Sequence, residues 1–412
     1  MKLLIYEHVS GGGFADKSIP LGILSEGFGM LRTLTSDFKA AGHSVTTVLD
    51  SRLAVLNPPI EADCIMPVSS SREAEAAIQK ISESADADAA YVIAPESNQV
   101  LQSLVASIEQ AGLPSLNCRA SAIGKVSDKA VLNGRLKKLR LSTPETILVN
   151  SLDDVAEIKR AISGKLEFPL IFKPVDGVGC SGLSVVRNEN QVASAVDKII
   201  RESPSKYLIA QELIHGIAVS VSLISTGSEA LPISLNKQNV SLMTPESIST
   251  YNGGLVPFNS LLKREAFATA EATVRSFRGL RGYIGVDLVL TEKEPVIIEV
   301  NPRLTTSYVG MRKVVSFNPA QAMINAVLKR ELPANNQSVG YAFFSKVETP
   351  KPTTEALQET YEMDAVVSPP FPVSCNGTAS ALVLSYRATL KEAMSGFNEA
   401  KKRLLNITIR GK

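Results

Sequence analysis

Three histidines and four cysteines are all that 412 residues contain of the types on which zinc sites and histidine-based nucleophiles depend. Cys64, Cys118, Cys180 and Cys375 show no C-x-x-C spacing and no nearby histidine pair, which argues against a zinc site or a disulfide framework. Free thiols suit a reducing cytosol. No Ser-His-Asp arrangement can be assembled around His8, His43 and His215. Charge of one sign is also lacking. Lys and Arg total 43 against 41 Asp and Glu, a net +2, which excludes nucleic acid or an anionic membrane surface as the main partner. The brief basic cluster Arg135–Arg140 reads as a solvated helix face. The most apolar stretch, Tyr207 to Ile224, is broken by Gln211, Glu212 and His215, short of the roughly 18 uninterrupted residues of a membrane span. The opening MKLLIYEHVSGGG has too short an apolar run for a signal peptide. The expectation is a cytoplasmic protein with small-molecule partners.

At this length a prior of about two to three domains applies. Strand and helix patterns alternate over the first ~115 residues, which predicts a parallel sheet covered on both faces. Strands are expected at Lys2–Tyr6, Val45–Leu49, Cys64–Pro67 and Ala90–Ala94. A helix is expected over Ser25–Ala41, with Phe28, Leu31, Leu34 and Phe38 on one stripe and Gly42 as its stop. Such a sheet gathers ligands at the carboxyl ends of its strands. The loops there are Glu7–Gly13, Pro67–Ser71 and Pro95–Ser97. The first, with Glu7, His8, Ser10, Gly11 and Gly12, is either an anion cradle facing substrate or a plain flexible turn. From about residue 120 the pattern becomes mixed α+β, and after about 330 it is more polar and punctuated by proline.

Gly177-Val-Gly-Cys-Ser-Gly182 fits G-x-G-x-x-G, a weak signal alone. A strand, Leu183–Val186, follows it instead of a helix. That predicts a hairpin flap lying over phosphates, with Gly177, Gly179, Ser181 and Gly182 as its contacts. No Walker A sequence and no kinase H-R-D or D-F-G motif accompanies it. Lys173, after four apolar strand residues, should be half buried, so it needs an anion; a triphosphate or a structural ion pair would serve. Asp287 lies on one predicted strand and Glu299 with Asn301 on its neighbour, the latter two sharing a face. Two carboxylates and an amide oxygen make a hard oxygen site suited to Mg²⁺, or Mn²⁺ in its place. Tyr251-Asn-Gly-Gly254, with Gly253 and Gly254, reads as a second glycine-rich lid near substrate. Lys237 either reaches the transferring phosphate or is an exposed loop lysine.

The order Ser127-Asp-Lys129, Phe172-Lys173-Pro174 with the flap, Gln211-Glu-Leu-Ile214, Asp287, then Glu299-Val-Asn301-Pro-Arg303 resembles the ATP-grasp superfamily over about residues 120–325. That resemblance implies an α/β plus α+β architecture in three parts. These are an N-terminal domain over 1–115, an ATP-grasp domain over 116–330 with a lid at about 144–210, and a small C-terminal extension over 331–412. The extension either caps the nucleotide domain or builds a homodimer contact. The resemblance further implies that Lys129 and Lys173 hold ATP phosphates and that Gln211, Glu212, Leu213 and Ile214 form the hinge reading adenine. Asp287, Glu299 and Asn301 would bind Mg²⁺, and Arg303 would steady the acyl phosphate or tetrahedral intermediate. One departure is Ala218, where many members carry a ribose-binding glutamate; Glu212 is a stand-in. The opening Ser10-Gly-Gly-Gly13, Ser25–Leu31, Ala94–Ser97, Tyr251–Gly254 and Asn301–Tyr308 are similar to the tyramine–glutamate ligase group of methanofuran biosynthesis. The implied activity is ATP-dependent joining of a carboxylate to an amine through an acyl phosphate. A different substrate pair, a phosphotransferase without an amine acceptor, and a non-catalytic nucleotide sensor stay open.

Overall fold

The computed structural model describes residues 1–84, 86–177, 179–334, 337–374 and 376–410. Cys375, and Val178 within the flap, lie outside the described residues. The first strands are β1 (Lys2–Glu7), β2 (Ser44–Asp50), β3 (Cys64–Val68) and β4 (Ala89–Ile93), all parallel in the order β3-β2-β1-β4. Alternation along β1 explains how both faces are covered. Leu3 and Ile5 pack on the helix α1 (Leu21–Ala40), whose Phe28, Leu31, Leu34 and Phe38 are fully buried. Leu4 and Tyr6 pack the other way. After the short α2 (Ser51–Ala54), that second face is covered by α3 (Ser71–Glu83) and α4 (Val100–Gln110) through Ile78, Val105 and Ile108. Helix α1 starts at Leu21, earlier than the stripe alone indicates, because Pro20 can precede a helix but not continue one.

Two helices, α5 (Ala120–Ser127) and α6 (Lys129–Lys138), lead into a second sheet. Its strands are β5 (Thr146–Asn150), β6 (Leu170–Pro174), β7 (Ser184–Val186) and β8 (Tyr207–Glu212), antiparallel in the order β5-β8-β6-β7. Helices α7 (Val155–Ile162) and α8 (Val192–Glu202) bury one face. Leu170, Phe172, Leu208 and Ala210 point into that small core. The period of two therefore turns Ile171, Lys173 and Gln211 toward the opposite face. The β6–β7 pairing is the hairpin expected around the glycine loop.

The third sheet has eight strands. They are β9 (Ile217–Thr226), β10 (Ala230–Ser241), β11 (Thr250–Val256), β12 (Arg281–Leu290), β13 (Pro295–Asn301), β14 (Tyr341–Pro350), β15 (Val366–Ser368) and β16 (Thr378–Arg387). The order is β13-β12-β9-β10-β11-β14-β16-β15, antiparallel throughout. Helix α9 (Lys263–Arg275) covers β9, β10 and β12 with Ala266, Ala270 and Val274. Residues 331–412 contribute β14, β15 and β16 to this same sheet. The segment Tyr251–Gly254, expected as a lid, is instead inside β11, hydrogen-bonded on both sides. A Cβ at Gly253 would sit 2.1 Å from the Phe344 carbonyl oxygen, and one at Gly254 would sit 2.4 Å from that of Lys237. Those glycines permit close strand approach rather than hinge motion. Among the described residues no helix is long and apolar enough to cross a membrane.

Candidate active site

The second sheet faces the eight-stranded sheet across a cleft. Its walls come from β6, the flap and β8 on one side, and from β10, β12 and β13 on the other. Lys129, Lys173, Gly177, Gly179, Ser181, Gln211, Glu212, Leu213, Ile214, Tyr251, Asp287, Glu299, Asn301 and Arg303 all line it. Residues from nine separate elements and loops thus converge on one cavity. Ala218 lines it too, presenting a methyl group where a carboxylate could have stood.

Lys173 is only 6% exposed, and its Nζ has no ion pair or hydrogen bond among the described residues. Burial lowers its pKa to about 8, an effect that nearby Glu299 opposes and Lys129 reinforces. An ammonium held dry and unpaired is costly unless an anion completes the site. The residues therefore fit a polyphosphate. Lys129, also 6% exposed, begins α6, whose first turn is capped by the Asp128 carboxylate accepting from Ala130 and Val131 N–H. Its Nζ donates to the Gly177 carbonyl at 2.8 Å and lies 3.5 Å from Glu299. This ties the flap to the helix below it. Gly179, Cys180 and Gly182 all have positive φ, so the flap coils tightly. Gly182 does not line the cavity; its N–H is held by Glu202 at 2.7 Å.

Asp287 and Glu299 stand directly opposite each other on β12 and β13. Like charges facing across neighbouring strands repel. Burial first, and Glu299 second, raise the Asp287 carboxyl to about 7. Asn301 Nδ2 donates to Asp287 Oδ2 at 3.1 Å, and Gln238 Nε2 donates to Oδ1 at 3.0 Å. A divalent cation shared by the two carboxylates and the Asn301 amide oxygen would relieve the repulsion with hard oxygen donors, so the set fits Mg²⁺. Arg303 donates from Nε to Glu96 at 3.0 Å and from Nη1 to the Leu304 carbonyl at 3.1 Å. Glu96 follows β4, so a loop at the carboxyl end of the parallel sheet reaches the cleft, as the topology of that sheet leads one to expect.

Several expected contacts lie elsewhere. The Glu7 carboxylate is buried and accepts from Val9 N–H at 3.0 Å, Ser10 N–H at 2.7 Å and the Ser10 hydroxyl at 2.6 Å. Gly11 N–H bonds the Glu7 carbonyl and Gly13 N–H that of His8. The loop thus cradles an anion, but the anion is its own Glu7. Burial raises that carboxyl's pKa while the Ser10 bonds oppose the rise. His8 sits between Tyr6 and Phe14, edge-on to both rings. None of Glu7, His8, Ser10, Gly11 or Gly12 lines the cleft, and neither do Gly253 and Gly254. Lys237 is exposed, with its Nζ 5.8 Å from the centre of the Phe258 ring. Strand alternation sends Gln238, Val240 and Leu242 into the cleft and Lys237 to the opposite side. The sequence reading missed Gln238, Cys180, Glu26 and the Thr305–Ser307 turn as cleft residues. Cys180, Glu26 and the turn lie inside stretches singled out above, Gly177–Gly182, Ser25–Leu31 and Asn301–Tyr308, whereas Gln238 had no signal.

The chain matches two domain families in succession: the pre ATP-grasp 3 domain over residues 43–123 and the ATP-grasp domain over residues 126–307. It is 28% identical over 330 residues to the tyramine–L-glutamate ligase of Methanocaldococcus fervens, covering 80% of this chain and 95% of that one. The ligase of the same name from Methanocaldococcus jannaschii is 28% identical over 346 residues, covering 82% and 91%. In three dimensions an ATP-grasp superfamily protein from Archaeoglobus fulgidus superposes with a TM-score of 0.63 at 24% identity, covering 93% of this chain and 99% of that one. The clamp of two sheets on a cleft and the two family matches agree: the chain belongs to the ATP-grasp superfamily and is an enzyme of it.

Proposed function

We propose that this enzyme is an ADP-forming carboxylate–amine ligase that activates its acid as an acyl phosphate, the pair being the glutamate γ-carboxylate and tyramine or a similar amine. The nucleotide half rests on one observation above others, the buried Lys173 left without a partner opposite the facing carboxylates Asp287 and Glu299. The choice of acid and amine rests on the two relatives named tyramine–L-glutamate ligase.

Joining a free carboxylate to an amine is uphill because hydroxide is a poor leaving group. In the proposed route a carboxylate oxygen attacks the γ-phosphorus of ATP and ADP departs. The amine then attacks the acyl carbon, phosphate departs, and the amine nitrogen loses its proton. Lys129, Lys173 and the flap N–H groups would hold the phosphates in line. Asp287, Glu299 and Asn301 would hold Mg²⁺, which supplies charge neutralisation at the phosphate oxygens. Arg303 would steady the negative charge that develops at the acyl centre. The flap excludes water that would otherwise hydrolyse the activated acid.

Incubation with ATP, Mg²⁺, glutamate and tyramine should release ADP and phosphate only when both organic substrates are present. Release of AMP and pyrophosphate would sink the acyl-phosphate route. ADP release without any amine would favour a phosphotransferase.

A further inference from the structure

Seven charged residues line the cleft. In the proposed function Lys129 and Lys173 are assigned to the phosphates, Asp287 and Glu299 to the metal and Arg303 to the acyl centre, while Glu212 ends β8. Glu26 is left over. It comes from α1, far from the other six in sequence, and its side chain is 18% exposed. One carboxylate oxygen accepts from Lys346 Nζ at 2.7 Å and the other from the Thr306 hydroxyl at 2.6 Å. Lys346 belongs to β14 and also lies 5.9 Å from the centre of the Tyr251 ring, which lines the cleft. Helix α1, the turn after β13 and strand β14 therefore fix the Glu26 carboxylate at the cleft wall with the Lys346 ammonium paired beside it.

A carboxylate offers about four acceptor positions, and two of them on Glu26 are filled. The ion pair needs no such position in the nucleotide or metal machinery. An ion pair that is not fully closed off from solvent contributes little to stability by itself. Its chemistry does match a zwitterion. An ammonium can take the free acceptor positions of Glu26, and a carboxylate can share Lys346. A lone amine gains less from a carboxylate already neutralised by lysine, whereas a zwitterion offers a partner to each half.

We infer that Glu26 and Lys346 bind the α-amino-acid head group of the acid substrate, leaving its side-chain carboxylate to face Arg303 and the metal. The inference rests on the ligase reading above and adds the residues that recognise the acid's α-amino-acid head group, Glu26 and Lys346. Glu26 takes the α-ammonium, Lys346 the α-carboxylate, and Thr306 positions Glu26.

Three acids separate the parts: L-glutamate, glutarate without the amino group, and 4-aminobutyrate without the α-carboxylate. Each is assayed with ATP, Mg²⁺ and tyramine. The wild-type enzyme should prefer L-glutamate to both. Glu26→Gln should raise KM for L-glutamate at least about tenfold, the worth of a charged hydrogen bond, with kcat little changed, and should erase the preference over glutarate. Lys346→Met should erase the preference over 4-aminobutyrate. An equal loss of kcat/KM for all three acids, or no wild-type preference for L-glutamate, would overturn the inference. Calorimetric binding of the same three acids to the enzyme with Mg²⁺ and ADP needs no turnover. Total absence of ligation would therefore refute the ligase reading alone, while equal binding of L-glutamate and glutarate would refute this one.

Discussion

Lys173 shows how one residue trades stability for chemistry. Its ammonium is buried with no ion pair or hydrogen bond among the described residues, so the folded protein bears a desolvation cost that the Glu299 charge only partly offsets until an anion arrives. Lys173→Met should therefore leave the melting temperature unchanged or raise it, while ATP-dependent turnover falls by about two orders of magnitude or more. A variant that loses both would show the lysine to be a structural ion instead. His8 offers a second test, this time through pH. Burial lowers its pKa from 6.5 to about 4, so the folded chain resists protonation across that interval while the unfolded chain accepts it. Below pH 6.5 the unfolded state binds more protons, and stability must fall as pH drops toward 4. The loss attributable to this group is at most about 3 kcal/mol. Thermal melts of wild type and His8→Gln between pH 7 and 4 should show the variant with the shallower decline; parallel curves would contradict the burial argument.

Elements are held to one another by a few buried polar knots. Asp37 on α1 accepts from Tyr308 and Arg312 of α10 (Tyr308–Val314), at 2.6 Å from the Tyr308 hydroxyl and 2.8 Å from Arg312 Nε. Arg312 Nη2 bonds the other Asp37 oxygen. Asp37→Ala leaves a buried guanidinium uncompensated and should cost about 3–5 kcal/mol in denaturant unfolding. A loss under about 1 kcal/mol would mean that the contact is not maintained in solution. Legibility also divides by element. The parallel sheet, α1 and the β6–β7 hairpin were readable because each carries one uninterrupted period and a clear stop. β11 was not, since its paired glycines look like a loop until Phe344 is seen packed against them. The exchange of Lys237 for Gln238 has a similar cause. β10 has a register shift between Pro232 and Ser234, so strand phase cannot be counted from its start to Lys237. Glu26 was legible only as part of the stretch Ser25–Leu31: on a helix buried almost all round, its partners Lys346 and Thr306 are what single it out.

At the scale of the whole molecule, the eight-stranded sheet is the frame. It carries the metal carboxylates on β12 and β13, Gln238 on β10, Tyr251 on β11 and Lys346 on β14. The parallel sheet reaches in twice, with Glu96 after β4 and Glu26 on α1. The small sheet closes over the cleft with Lys173 and the flap. The residues proposed for phosphate, metal and acid thus come from three sheets that meet at one place, the arrangement an acyl phosphate needs in order to form and be consumed away from water. Isotope transfer tests that claim most directly. With the γ-carboxylate of glutamate labelled with oxygen-18, turnover with ATP and tyramine should place one labelled oxygen in each phosphate released. Phosphate free of label would contradict the account, because the acid would then never have been joined to phosphorus.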